Sequence, residues 1–138
     1  MATGETTGPA QQSRIRWLDT EGHRVLLVDL SYYSGVRIAN VIRDAGQVIR
    51  AQPLESTLVL RDFTGVGLDS DLVVLVKEVA PLDQPHIKRS AWVGTESLSQ
   101  LWHAAIEQVS KLTFQRFETR EKALRFLVCG AGSLSQSS

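Results

Sequence analysis

The sequence predicts an α/β fold: a single domain with a mostly parallel β-sheet, an antiparallel hairpin at its N-terminal edge, and four helices. Short apolar runs typical of buried parallel strands alternate along the chain with segments whose apolar residues recur at i, i+3 and i+4. Strands that alternate with helices pair in parallel through right-handed crossovers, so this alternation indicates a parallel sheet. The 138 residues suit one domain with a sizeable core. We expect that domain over residues 14–129, between disordered tails at 1–13 and 130–138.

Five strands are predicted from β-branched and apolar runs bounded by turn residues. The first two form a hairpin around Glu21-Gly22, and the later ones are separated by helical segments. The predicted strands are Ile15–Asp19, Val25–Leu30, Thr57–Phe63, Ile87–Val93 and Thr113–Phe117.

Four helices are predicted between and after these strands. The first follows Ser34-Gly35 and is closed by Pro53, with Arg37, Arg43 and Arg50 on a solvated outer face. The second is predicted at Asp71–Ala80, where Asp69 or Ser70 caps it and Pro81 ends it. The third is predicted at Leu98–Val109, after the capping box Ser97–Gln100. The fourth is predicted at Arg120–Val128, with Thr119 as its cap.

Composition excludes several classes of protein. Lys plus Arg equals Asp plus Glu at 15 each, which argues against a dedicated nucleic-acid binder. No apolar stretch has the ~20 residues of a membrane span, and no secretory signal is recognisable. The single cysteine, Cys129, excludes an intramolecular disulfide and is typical of a cytoplasmic protein. No metal site is expected, because His23, His86 and His103 lie far apart in the sequence. No cofactor is expected, and no sequence motif of a catalytic site is recognisable.

Four phrases resemble a known family: VLLVDLSYYSG, STLVLRDFTGVGLD, PHIKRSAWVG and FQRFETREKALRFL. They are similar to the SpoIIAA-like branch of the STAS (sulfate transporter and anti-sigma-factor antagonist) superfamily, also labelled STAS/SEC14 domain. The likeness covers Ile15 to Val128. It implies a small bacterial α/β domain that binds partners or ligands without chemistry of its own.

In the anti-anti-sigma relatives, a kinase phosphorylates a serine at the start of the helix after a strand-end turn. The matching place is Leu68–Leu72, where Ser70 keeps the first serine of the phrase and Asp71 replaces the usual acceptor. A carboxylate at a helix N-terminus is stabilising, whereas a phosphate on Ser70 would lie between two aspartates. Helix capping is therefore the favoured role of Asp69, Ser70 and Asp71. The glycine-rich turn before these residues is also not followed by the lysine that a phosphate-binding loop requires.

The favoured function is a non-enzymatic interaction or regulatory domain that docks a protein partner, or a second copy of itself, through the turn and helix at 64–78. Val74 falls on the helix side opposite the core-facing stripe of Leu72, Leu75, Val76 and Val79. The residues predicted to bind the partner are Asp69, Ser70, Asp71, Val74 and Lys77.

The alternative is a small-ligand or lipid-binding module with a pocket at the C-terminal ends of the strands, where α/β sheets commonly bind ligands. Lipid binding needs a large apolar cavity, for which a chain this short leaves few side chains. The residues predicted to line the strand-end pocket are Asp29, Tyr32, Tyr33, Asp62 and Thr64.

Overall fold

The computed structural model describes residues 14–67, 69–98 and 115–129. Within them lie five strands and three α-helices. In chain order these are β1 (Ile15–Thr20), β2 (His23–Asp29), α1 (Val36–Arg50), β3 (Thr57–Asp62), α2 (Ser70–Asp83), β4 (Ile87–Val93), β5 (Gln115–Phe117) and α3 (Arg120–Cys129). Two single turns of 3-10 helix, Gln84–His86 and Thr95–Ser97, flank β4.

The strands form one sheet in the order β1-β2-β3-β4-β5. β1 pairs with β2 antiparallel, and the remaining pairs are parallel. The predicted fold class and the antiparallel N-terminal edge are therefore confirmed. Glu21 and Gly22 both have positive φ, at 50° and 82°, as the tight two-residue turn of a hairpin requires.

The sheet is covered on both faces. On one face, residues of β2, β3 and β4 pack against α1 and α2, with Leu26, Val59 and Ile38 among the buried members. On the other face, Leu27 and Leu60 pack against Phe126 of α3. Burial on both sides explains why β2 and β3 are almost continuously apolar in sequence.

The count of four helices does not match the described residues, which contain three α-helices. A 3-10 turn, Thr95–Ser97, precedes the helix predicted at Leu98–Val109, and Leu98 itself is extended. The remainder of that helix, from residue 99, lies outside the described residues, as do both predicted tails.

The end predicted for the second helix is wrong, since α2 continues through Pro81 to Asp83. Pro81 sits in the last turns, where its missing N–H removes one hydrogen bond and leaves the rest intact. The backbone N–H of Gln84 still donates to the carbonyl of Ala80. The extension matters because it brings Asp83, 4% exposed, against the sheet.

Candidate functional site

Asp29 and Asp62 lie directly opposite each other at the ends of the paired strands β2 and β3. Side chains alternate across a strand, so both carboxylates point to the same face as Leu27 and Leu60, the face covered by α3. The sequence expectation that these two aspartates lie near each other at one edge of the sheet agrees with this placement.

The two strand ends repeat one local geometry. The Oδ1 of Asp29 accepts hydrogen bonds from the backbone N–H of Ser31 at 3.0 Å and from its hydroxyl at 2.6 Å. The Oδ1 of Asp62 accepts the equivalent pair from Thr64, at 2.9 Å and 2.7 Å. Aspartate commonly closes a turn by accepting from the residue two positions on, so each carboxylate fixes the loop that follows it.

The two loops stay paired beyond the strands. The N–H of Leu30 donates to the carbonyl of Asp62 at 2.9 Å, and the N–H of Tyr32 donates to the carbonyl of Thr64 at 2.8 Å. A parallel bridge between Ser34 and Gly67 extends the same register. The loops that lead into α1 and α2 therefore lie side by side and are held by backbone hydrogen bonds.

Two arginines neutralise the paired carboxylates. Arg120, the first residue of α3, places Nε 2.8 Å from Oδ2 of Asp62 and Nη2 3.3 Å from Oδ2 of Asp29. Arg14 lies 3.5 Å from Asp29 and donates to the carbonyl of Ser31 at 2.7 Å. We call Asp29, Asp62, Arg14 and Arg120 the strand-end cluster. Its formal charges balance.

The cluster sets the ionisation of Asp29. Burial by itself raises the pKa of this carboxyl group, but the hydrogen bonds from Ser31 and the charges of Arg120 and Arg14 outweigh it. The net result is a pKa below the ordinary value, so Asp29 is held as a carboxylate. A carboxylate engaged in this way is a structural anchor rather than a poised general acid.

Tyr32 and Tyr33 occupy different environments in the first of these loops. Tyr32 has a left-handed φ of 61°, its side chain is 75% exposed, and a Cβ at Gly65 would overlap its ring. The Tyr33 ring is half-buried beneath the guanidinium group of Arg14, 3.8 Å from the ring centroid. Of the two tyrosines, Tyr32 is therefore the one presented to solvent.

The residues predicted to bind a partner all lie on the exposed side of α2 and its first turn: Asp69, Ser70, Asp71, Val74 and Lys77. Asp69 is the N-cap, since its Oδ1 accepts from the N–H of Leu72 at 3.0 Å. Val74 is 57% exposed, whereas Leu72 and Leu75 are buried, as the spacing predicted. That these residues bind a partner stays a prediction.

An apolar cavity of about 60 Å3 lies elsewhere, between α1, α2 and the sheet. Its walls include Leu30, Ile42, Phe63 and Val76. None of the five described residues predicted for the strand-end pocket is among those that line it. We call this space the inter-helix cavity.

The arginines of the strand-end cluster and the charged residues near the inter-helix cavity were not identified as site residues from the sequence. Arg14 and Arg120 were not singled out, and Arg50 was assigned to a solvated face although its Nη1 lies 2.7 Å from Oδ1 of Asp83. One signal was available: Arg61 interrupts the apolar run of β3, and a buried arginine requires a partner. The partner itself, Asp83, is far along the chain and lies beyond the end predicted for the second helix.

The described ranges contain no cluster of three or more histidine, cysteine, aspartate or glutamate side chains arranged to hold a metal ion. Across residues 14–67, 69–98 and 115–129, no helix combines the length and apolar content required to traverse a bilayer.

No protein-family model matches the sequence, and no curated protein matches it either. A solved structure does match. It is the crystal structure of an uncharacterized protein from the DUF3478 family with a SpoIIAA-like fold, from Shewanella loihica PV-4. The match has a TM-score of 0.61 at 17% sequence identity, over 82% of this chain and 91% of that chain. At this identity the likeness concerns the fold, and the chain has a SpoIIAA-like fold.

Proposed function

We propose that the chain is a non-enzymatic, cytoplasmic regulatory domain that docks a protein partner through the turn and helix at 64–78. The observation that carries this proposal is that this segment presents large apolar side chains to solvent. Val74 on α2 is 57% exposed, and Tyr32, which is 75% exposed, packs against Gly65 of the turn. Large apolar side chains left in contact with water are groups that a docking partner can bury.

The backbone supports docking because these positions are held in place before a partner arrives. The bridge between Ser34 and Gly67 joins the loops that lead into α1 and α2, and Asp69 caps α2. A preorganised surface loses little conformational entropy on binding. We therefore expect a rigid docking surface.

The charges on this surface indicate the kind of partner. Asp69 and Asp71 lie at the start of α2, and Val74 and Lys77 follow on its exposed side. A partner that combines an apolar contact for Val74 with basic side chains for the two aspartates fits best. Charge complementarity of this kind mainly sets specificity and the rate of association.

The proposal is tested with the double variant Val74→Lys plus Lys77→Glu. The matched control is Leu82→Lys, because Leu82 lies on the same helix and is equally exposed at 57%. Partners are recovered from the native host by in-cell crosslinking and quantified by mass spectrometry, and self-association is measured by sedimentation velocity. We expect the double variant to lose one partner, or the dimer, by about tenfold or more, while the control retains it.

Equal recovery from the double variant and from wild type, for every partner and for self-association, would refute docking through this surface. Loss in the Leu82→Lys control to the same extent would also refute it, because a general effect on α2 would then explain the result. Both variants must show the unfolding midpoint of the wild type before they are compared.

The alternative of a strand-end ligand pocket stays a prediction and is less supported. The carboxylates of Asp29 and Asp62 are engaged by Arg120 and by their own loops, which leaves fewer acceptor sites for a ligand. Tyr32 is exposed rather than enclosed. Native mass spectrometry of protein from its own host tests this alternative, which predicts a non-covalent adduct that is lost on denaturation.

A further inference from the structure

The wall of the inter-helix cavity contains a charged group, Arg61. Arg61 projects from β3 to the face covered by α1 and α2, and its side chain is only 18% exposed. It lines the cavity together with Asp83, Gln84 and Ser90. The other lining residues are mostly apolar, so a guanidinium group lies at the polar end of an apolar space.

The hydrogen bonds of Arg61 are incompletely used within the described residues. Its Nη1 donates to the hydroxyl of Ser90 at 3.1 Å. Its contact with Asp83 is long, at 4.0 Å from Nη2 to Oδ2. A guanidinium group carries five N–H donors, and those of Arg61 that neither Ser90 nor Asp83 engages remain available to an acceptor in the cavity.

The local charges do not cancel. Asp83 is shared between Arg61 and Arg50, whose Nη1 lies closer to it, at 2.7 Å. Arg50, which does not line the cavity, is thus the main partner of Asp83, and the charge of Arg61 at the cavity wall is only weakly compensated. Uncompensated charge in a buried site is costly and favours the binding of an anion.

We propose that the inter-helix cavity binds a short-chain carboxylate, with its carboxylate group on Arg61 and Ser90 and its apolar tail against Leu30, Phe63 and Val76. Arginine accommodates a carboxylate with paired N–H donors, and this geometry distinguishes it from an uncharged ligand. The site is separate from the docking surface and does not depend on it.

The dimensions limit the ligand to a small molecule. The cavity of about 60 Å3 has room for roughly four to six water-sized groups, since a water needs about 10–15 Å3. This is the size of butyrate rather than of a long-chain fatty acid or a phospholipid.

The test uses the full chain, with butyrate as the probe and 1-butanol as its uncharged counterpart. Binding is followed by amide chemical shifts in 1H–15N NMR spectra. We expect saturable shifts at cavity residues such as Val28, Val76 and Ser90 with butyrate, and an affinity at least about tenfold weaker for butanol.

Two variants test the guanidinium charge and the cavity volume separately. Arg61→Met removes the guanidinium group and keeps an apolar side chain, so the affinity for butyrate falls by about tenfold or more while the affinity for butanol is retained. Ala80→Leu fills the cavity from α2 and abolishes the binding of both probes. Leu82→Ala, on the exposed side of the same helix, leaves both affinities unchanged.

Three results would overturn the proposal: butyrate shifts confined to surface amides, equal affinities for the two probes, or butyrate binding that Ala80→Leu leaves intact. If Arg61→Met does not fold, the comparison of butyrate with butanol on the wild type and the Ala80→Leu result still decide the outcome. Both of these measurements use a protein that retains Arg61.

Discussion

Arg120 links the last helix to two different strands through its side chain alone. Burial would lower the pKa of its guanidinium group, but the hydrogen bond and charge of Asp62 and the neighbouring Asp29 outweigh this and raise it. The same contacts relieve the repulsion between two carboxylates that the β2–β3 register places opposite each other. Arg120 therefore ties the start of α3 to both strand ends.

We expect Arg120→Ala to lower the free energy of unfolding at neutral pH by about 1–2 kcal/mol. This is less than the 3–5 kcal/mol typical of a broken buried pair, because the Arg120 side chain is 37% exposed and is screened by water. Urea unfolding followed by circular dichroism measures the change.

The control for this variant is Lys122→Ala on the same helix. Within the part of the chain that the structure describes, the side chain of Lys122 pairs with Glu118 alone, at 3.4 Å, and both side chains are mostly exposed. Its removal should cost less than about 0.5 kcal/mol. If the two substitutions had equal effects, the strand-end cluster would not be what holds α3 in place.

At the scale of elements, the parallel strands end in loops that pack tightly against one another. Gly94 follows β4 with a φ of 75°, and a Cβ there would overlap the backbone N and the hydroxyl of Thr64. Gly22, in the β1–β2 hairpin, has a similar φ of 82° but no neighbouring atom within 4 Å of the equivalent position. Substitutions at the two glycines therefore distinguish the free-energy cost of a positive φ from the cost of steric overlap.

We expect Gly22→Ala to destabilise the protein by about 1–2 kcal/mol, the cost of a left-handed conformation. Gly94→Ala should cost about 2–5 kcal/mol, because the added methyl group also displaces the loop around Thr64. Thermal and urea unfolding of both variants provide the measurement. A Gly94→Ala variant as stable as Gly22→Ala would show that the loops are not closely packed at this point.

For the whole molecule, the half-buried carboxyl group of Asp29 and the buried one of Asp83 give opposite dependences of stability on pH. The lowered pKa of Asp29 means that its contribution is present above the unfolded pKa and is lost as the pH falls through the folded pKa. Burial raises the pKa of Asp83, although Arg61 and Arg50 oppose the shift. Its effect therefore has the opposite sign, and stability falls as the pH rises between the unfolded and folded pKa values.

We expect Asp29→Asn to reduce the loss of stability on acidification below about pH 4, because the substituted side chain does not titrate. The free energy of unfolding is measured by urea titration across a series of acidic pH values. An unchanged acid dependence in the variant would mean that other carboxyl groups dominate acid unfolding. Asp69→Asn, at an exposed helix cap, serves as the control.

Much of the fold could be predicted because its determinants are local. The apolar runs of β2, β3 and β4 reflect burial on both faces, and the spacing of Leu72 and Leu75 places the inner side of α2. The shared geometry of the two strand-end turns also follows from short-range chemistry, since an aspartate accepts a hydrogen bond from the residue two positions on. The expectation that Pro81 ends a helix failed because tertiary packing favours one further turn.

The sequence by itself determined the α/β class, the antiparallel first hairpin and the exposed position of Val74, because periodicity and turn chemistry act between near neighbours. Only the tertiary structure decided which charges meet. Arg120 reaches Asp29 and Asp62, and Asp83 reaches Arg50 and Arg61, across long separations in sequence. Such pairs arise when parallel strands and their helices pack on one sheet, and no local pattern encodes that placement.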